Sequence, residues 1–558
     1  MKQLYNKLYQ FTVKYLPYKA KIRAFYHLAL RIKVVYLAEG FQGIRRRVQN
    51  RIQEMKPQSS QPLPKTGIIE QTWKQYQTQE KTSSFWVPVI HLKKRLILPN
   101  HNHPLVTIIV VATGAHTAYR CLSALPHTTD GREIEVVVID NGTSDETAHI
   151  LSRAMGIQVI RYHERVSVAA SWSQGVAKSQ GEFLLFLRDE VVLQPRSLDK
   201  MLETYIDKKE CGMVGVKLVS PDGVLREAGC TFRDDDGAEQ DGHGDNPQNP
   251  FHSYLKASDY CTSAILVKRD VYDQSGGFDV SFDECAEADF ALTLRQIAKK
   301  TYYQPLASAI IFKDNTQNYD ESNCLVHKWQ NRFTEESQSG IRHRQPRVLV
   351  LDNFTPTPDR DSGSVDAVNH MRIFQDLGFQ VTFIPTINLD AVEKYTASLQ
   401  QMGIECLYQP FLESIDKYLS LHGDKFDMVV LARMFNAVTY IDVVRRRCPQ
   451  AKVIFNTVDL HYLREIRRAE IEQSEELKCM ALETKKVELS VMKQVDMTLV
   501  ISQKEEQMLK AELPDVNIFR YSLIIDIQNK QPVSFDKRRD VFFLGGFRHL
   551  LPPSSPLY

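Results

Sequence analysis

GEFLLFLRDEVVLQPRSL, residues 181–198, runs five apolar residues, Phe183 to Leu187, straight into Arg188, Asp189 and Glu190. An apolar run of strand length without polar alternation reads as a strand covered on both faces, as in a parallel sheet. In open parallel sheets the ligand sits at the carboxyl ends of the strands. The charged triplet therefore falls where a ligand is held. Clustered carboxylates at a strand end suit a divalent cation, which takes oxygen ligands. Arg188 does not suit one, because a guanidinium has no acceptor atom; it grips phosphate in a bidentate fork.

Working outward, the same strand–turn–helix pattern repeats. Apolar runs at 105–112, 134–140, 157–162 and 182–187 are each followed by a turn and a helical stretch, the pattern of βαβ units. After the second run comes DNGTSDET, residues 140–147, where Asp140 enters the crevice, Asn141 to Ser144 form a turn, and Ser144 or Asp145 caps a helix. A second α/β pattern follows, with strand-like runs at 346–354, 378–385, 426–433, 451–459 and 496–502, and a last run, 539–547, entering a glycine turn.

These pieces, in order, resemble a glycosyltransferase family 2 domain of the GT-A fold. The motifs are PLVTIIVVATGAHTAYRCLSAL, EVVVIDNGTSDETAHIL, VSVAASWSQGVAKSQGEFLLFLRDEVVLQP, GMVGVKLVSPDGVLREAGC and DYCTSAILVKRDVYDQSGGFDVSFDECAEADFALTLR. They are most similar to bacterial enzymes that build surface polysaccharide such as O-antigen. The resemblance implies transfer of a sugar from a UDP-, GDP- or dTDP-sugar to a glycan or lipid-linked acceptor, with inversion in a single displacement. It implies that Asp140 contacts the nucleotide, with Asn141, Asp145 and Asp289 also on the substrate side. It implies Mg²⁺ or Mn²⁺ held by Asp189 and Glu190, Arg188 on the diphosphate, and Glu287 as the base that deprotonates the acceptor hydroxyl.

The sequence departs from the family pattern at several points. Arg188 stands where an Asp or Asn is usual, and Glu190 replaces the final Asp of the metal motif. Ser173-Gln174-Gly175 replaces Asn-x-Gly, and Ala286-Glu287 replaces an acidic pair. Ile311, Phe312 and Lys313 stand where the family often has a His. Two readings stay open on these grounds: an active transferase, or a pseudo-glycosyltransferase kept for glycan binding or assembly.

RVLVLDNFTPTPDRDSGSVDAVNHMRIFQDLGFQVTFIP, with VIFNTVDLHYLREIRRAE, DMTLVISQKEEQMLK and VFFLGGFRH, resembles the N-terminal Rossmann-like domain of a GT-B glycosyltransferase of the family 4 type. Asp361 to Ser364 open its first helix, either as a simple cap or as a site for phosphate or a sugar hydroxyl. The chain stops about a dozen residues past Gly546, whereas a donor domain needs on the order of 150. The expectation is a truncated second half without a donor site of its own.

The expected organisation is a basic helical arm (1–56), a linker with a short helix (57–104), a GT-A domain (105–315), a connector (316–345), a GT-B N-terminal half (346–538) and the start of a truncated domain (539–558). The arm holds 13 Lys and Arg against 2 Glu, about +11. It reads as a helix lying on an anionic membrane surface, or as a basic helix packed on its own protein or left solvated. The chain as a whole is near neutral, +2 over 558 residues, which gives no sign of a nucleic-acid binder. Nine scattered cysteines without C-x-x-C spacing fit reduced thiols. Together these point to a cytoplasmic protein, peripheral on the inner face of the membrane. The Asp-rich loop 233–245, with His243, reads as a mobile acceptor-side loop or, less simply, a cation site. His101 and His103 read as linker residues.

Overall fold

The computed structural model describes residues 96–312 apart from 129, 130, 144 and 233–237, residues 325, 328 and 329, and residues 345–539 apart from 388, 523 and 525–533. The arm at 1–56, most of the linker at 57–104 and nearly all of the terminal segment at 539–558 lie outside the described residues. Contacts divide the chain into residues 1–67 and 68–558; everything below belongs to the second unit.

The first module runs β1 (Val106–Ala112), α1 (Ala115–Thr128), β2 (Ile134–Asn141), α2 (Asp145–Arg153), β3 (Gln158–Tyr162), α3 (Val168–Ala177), β4 (Phe183–Arg188), β5 (Val191–Leu193), α4 (Ser197–Asp207) and β6 (Cys211–Val219). It continues with β7 (Leu225–Glu227), β8 (Cys230–Phe232), β9 (Ala238–Gln240), β10 (Lys256–Ser258), β11 (Ala264–Lys268), α5 (Arg269–Ser275), α6 (Ala286–Gln296) and β12 (Lys300–Ile311). The main sheet has the order β10-β12-β6-β11-β4-β1-β2-β3. Strands β1 to β4 are parallel, as the apolar runs predict. Beyond these four, β11 runs antiparallel between β4 and β6, so the sheet is mixed.

Every residue of β1 is buried, because helices cover the sheet on both sides. Alternate residues feed two cores: Ile108, Val110 and Ala112 one, Ile109 and Val111 the other. Gly175 lets α3 lie close on β1, since a Cβ there would stand 2.4 Å from Cγ2 of Ile109. Gly142, at φ +67°, turns the chain after β2, where a Cβ would stand 2.5 Å from the Arg165 backbone nitrogen.

The polar connector expected at 316–345 contributes to this module. Leu325 and Trp329 are buried in the core beside α6.

The second module runs β13 (Arg347–Asp352), α7 (Ser362–Asp376), β14 (Gln380–Pro385), α8 (Glu393–Gln401), β15 (Glu405–Cys406), α9 (Ile415–His422), β16 (Met428–Ala432), α10 (Arg433–Arg447) and β17 (Lys452–Asn456). It ends with α11 (His461–Ile471), α12 (Glu475–Met492), β18 (Met497–Val500), α13 (Gln503–Glu512) and β19 (Ile518–Arg520). Its seven strands are parallel in the order β15-β14-β13-β16-β17-β18-β19. The order starts in the middle and reverses, the doubly wound pattern that opens a crevice at the reversal point. The two modules touch through the segment before β10. The Leu255 backbone N–H donates to the Gln400 carbonyl at 2.9 Å, and Phe251 stacks on Tyr418.

Candidate active site

The candidate residues gather at the carboxyl edge of β1, β2 and β4. In register, Ala112 pairs with Asp140 and Val111 with Arg188. Side chains in one row of a sheet share a face, and successive rows alternate. Asp140 and Arg188 therefore leave the sheet on opposite faces. Arg188 goes with Val111 to the side covered by α3 and α6.

There Arg188 meets Glu287, in the first turn of α6. Its Nε donates to Oε1 at 3.1 Å and its Nη2 to Oε2 at 2.9 Å, a bidentate fork. Nη2 also reaches the Asp283 carbonyl at 3.4 Å. The guanidinium lies 5.6 Å from the ring centre of buried Trp172. Glu287 is fully buried, while the Arg188 side chain keeps 13% exposure. Nη1 of Arg188 has no hydrogen-bond partner among the described residues. Burial disfavours the Arg188 cation, but Glu287, then Glu190 and Asp283, more than offset it and raise its pKa.

Glu287 has a third donor, the Ser263 N–H at 3.1 Å from Oε1. Ser263 sits at φ +64°, in the left-handed region that non-glycine residues seldom adopt. Its neighbour Thr262 serves a second buried acid. The Thr262 N–H donates to Glu227 Oε1 at 2.9 Å and its hydroxyl to Oε2 at 2.5 Å. Burial pushes the Glu227 carboxyl up to about 7, against the Thr262 hydrogen bonds and with help from the nearby charge of Glu287. Glu227, Thr262 and Ser263 were not visible as site residues in the sequence.

Asp189, expected as a cation ligand, is occupied by the loop after β1. Its Oδ2 accepts from the Thr113 N–H (2.8 Å), the Gly114 N–H (3.2 Å) and the Thr117 hydroxyl (2.6 Å), and its Oδ1 accepts from the Thr113 hydroxyl (2.8 Å). A carboxylate so engaged ties β4 to the start of α1. Glu190 is buried, and its backbone carbonyl accepts from the Phe312 N–H at 3.1 Å. Burial, and then the charges of Asp189 and Glu190, push the Cys121 thiol up. The residues present therefore do not fit a two-carboxylate cation site. One acid of the motif is saturated with hydrogen bonds and a fixed guanidinium stands beside the other. Among the described residues, no three His, Cys, Asp or Glu side chains converge as metal ligands.

The remaining expected residues divide. Asp140 is buried; Oδ1 accepts from the Thr143 N–H at 3.3 Å and from its hydroxyl, and Oδ2 lies 3.4 Å from Nε of Arg161. Asn141 clamps the Val166 backbone, donating at 2.8 Å and accepting at 2.9 Å. Asp145 opens α2, and its side chain lies outside the described residues. Asp289 faces the connector, accepting from Trp329 Nε1 at 2.8 Å and pairing with Lys328 Nζ at 2.7 Å. It is thus a fastening for the connector. His101 bonds the Ile134 backbone through Nδ1 at 3.1 Å. Residues 233–237 of the Asp-rich loop lie outside the described residues, and Nε2 of His243 sits 3.4 Å from Nη1 of Arg226.

In the second module Asp361 caps α7, accepting from the Ser364 N–H at 2.8 Å. Beside it a cavity of about 40 Å³ opens between Asp352, Gly363, Asp366, His370 and Asn456. Asp352 is bonded by Nε of Arg433 at 2.9 Å.

Residues 106–276 match the model of glycosyl transferase family 2, so the chain carries a glycosyltransferase domain over that stretch. The chain is 27% identical over 235 residues to an uncharacterized protein, y4gI, of Sinorhizobium fredii, covering 38% of this chain and 25% of that protein. It is 26% identical over 224 residues to the O-antigen biosynthesis protein RfbC of Myxococcus xanthus, covering 37% of this chain and 17% of that one. It thus spans a quarter or less of the length of these curated relatives. Among solved structures, GalNAc-T7 with UDP, GalNAc and Mn²⁺ is similar at 12% identity and TM-score 0.34, over 41% of this chain and 50% of that one. The mannosyltransferase PcManGT of Pyrobaculum calidifontis with GDP-Man and Mn²⁺ is similar at 14% identity and TM-score 0.30, over 48% and 72%.

Proposed function

We propose that the first module transfers a sugar from a nucleotide-sugar donor to a glycan or lipid-linked acceptor in bacterial surface-polysaccharide synthesis, with inversion. The observation that carries this is the placement of Glu287 on α6, joined to Arg188 at the end of β4, which lies in the stretch, 106–276, that matches a glycosyltransferase family. The acceptor oxygen attacks the anomeric carbon. The bond from that carbon to the donor diphosphate breaks, its electron pair stays on the diphosphate oxygen, and the hydroxyl proton passes to Glu287. Asp140, buried at the end of β2, contacts the nucleotide. Arg188 offers the guanidinium that meets the diphosphate. No step is assigned to a cation, because Asp189 is engaged elsewhere.

The second module is proposed as a GT-B N-terminal half, supported by its doubly wound strand order. Attachment to the inner face of the membrane through residues 1–56 rests on their charge alone. No helix among the described residues is long and apolar enough to cross a membrane.

The test is release of nucleoside diphosphate from UDP-, GDP- and dTDP-sugars by the full chain, with lipid-linked glycan acceptors. Transfer that falls by about a hundredfold or more in Glu287→Gln supports the base. Full transfer by that variant contradicts it. A second reading, a binding module without transfer, is favoured by the same ion pair, which leaves Glu287 no exposed oxygen. It predicts nucleotide or glycan binding and no release in any combination.

A further inference from the structure

The donor and the base compete for one guanidinium. As it stands, Glu287 is sealed: 0% exposed, with Arg188 on both oxygens and the Ser263 N–H on one. No acceptor hydroxyl reaches it in that state. Arg188 is the more exposed half of the pair. Its side chain keeps 13% exposure, and its Nη1 is unbonded among the described residues. A diphosphate carries more charge than a carboxylate and matches the same planar fork. It also arrives at the strand end that the arginine terminates.

We infer that Arg188 and Glu287 form an exchange pair, in which the donor's diphosphate takes the Arg188 fork and Glu287 is released to act as base only once the donor is bound. This rests on the sugar-transfer reading and adds an order of events to it. Free of donor, the carboxylate is neutralised and shielded, so an acceptor or water meets no base. With donor bound, the positive charge stays beside the leaving diphosphate, where charge develops as the glycosidic bond breaks. The carboxylate, now without its counter-ion, is left to take the proton. The arginine that departs from the family pattern is held by the acid that the pattern keeps: Arg188 by Glu287.

The experiment is calorimetric titration of UDP, GDP and dTDP into the full chain in EDTA, for the wild type and Glu287→Gln. UMP, GMP and dTMP serve as controls that lack the second phosphate. Removing the competitor is expected to tighten diphosphate binding about tenfold, with monophosphate binding changed much less. Equal or weaker diphosphate binding in Glu287→Gln overturns the exchange while leaving the transfer reading intact. A wild-type chain that binds none of the nucleotides, with or without Mn²⁺, overturns both. Should Glu287→Gln not fold, because it strands a buried cation, the double variant Arg188→Met with Glu287→Met removes both charges together. It is expected to lose diphosphate binding by tenfold or more; unchanged binding there overturns the inference.

Discussion

Both modules put an arginine–carboxylate pair at the carboxyl edge of a sheet, and the pairs are built in opposite senses. In the first, the arginine ends the strand and the acid sits on the following layer's helix: Arg188 of β4 and Glu287 of α6. In the second, the acid ends the strand and the arginine starts a helix: Asp352 of β13 and Arg433 of α10. The first acid is sealed. The second borders a cavity and has its carboxyl raised by burial, which Arg433 only partly offsets. Sheet topology thus decides where charge collects, and the choice of which partner ends the strand decides which charge meets the crevice. In the first module the more exposed partner is the cation, Arg188; in the second the acid, Asp352, lines a cavity.

The sharpest way to break this contrast is Arg188→Ala. It leaves Glu287 buried without a counter-ion and should cost about 3–5 kcal/mol of stability in urea unfolding. Arg433→Ala, beside a cavity with room for water, should cost clearly less. Equal losses would show that the two pairs do the same work.

Next in size is Glu227→Gln. Glu227 has a folded pKa of about 7, raised from 4.5 by burial. A raised acid favours the fold below pH 4.5, and that contribution is lost as pH rises through about 7. The wild type should therefore melt at falling temperature between pH 5 and pH 8, with a loss on the order of 3 kcal/mol. Glu488 in the second module is raised to about 7 as well, so Glu227→Gln should remove part of the slope and Glu488→Gln another part. A slope unchanged by Glu227→Gln contradicts its burial as the cause.

A third test, Asp189→Asn, asks whether that acid ties the loop or binds a cation. An amide accepts at one atom where the carboxylate accepts at two, so about 1–3 kcal/mol should be lost in unfolding without metal. A loss seen only with Mn²⁺ present would return Asp189 to cation binding. The smallest effect concerns Val458, at φ +61° beside the cavity of the second module. Val458→Gly should raise stability by about 1 kcal/mol by relieving that conformation. A lower melting temperature would show that the side chain's packing matters more.

The strands that build both sheets were legible because an apolar run covered on two faces carries its own signal. β1, β3, β13, β14, β16, β17 and β18 lie within the runs read from the sequence, and β2 and β4 run one residue past theirs. The short strands β5, β7, β8, β9, β10, β15 and β19 were not, since two or three residues show no period. The crevice was legible from Asp140 and the 188–190 triplet. Their partners were not. Arg188 and Glu287 are 99 residues apart and no local pattern links them. Asp189 and Asp289 were read as site residues from their place in the motifs; their bonds to Thr113, Thr117, Lys328 and Trp329 had no signal there.

The central claim is that Arg188, and no metal, meets the diphosphate. It is tested most directly by titrating UDP, GDP and dTDP into the wild-type full chain, first in EDTA and then in Mn²⁺. The predicted result is binding in EDTA within about twofold of that in Mn²⁺. Binding that appears only with Mn²⁺ would contradict it and would assign the diphosphate to a cation held at Asp189 and Glu190.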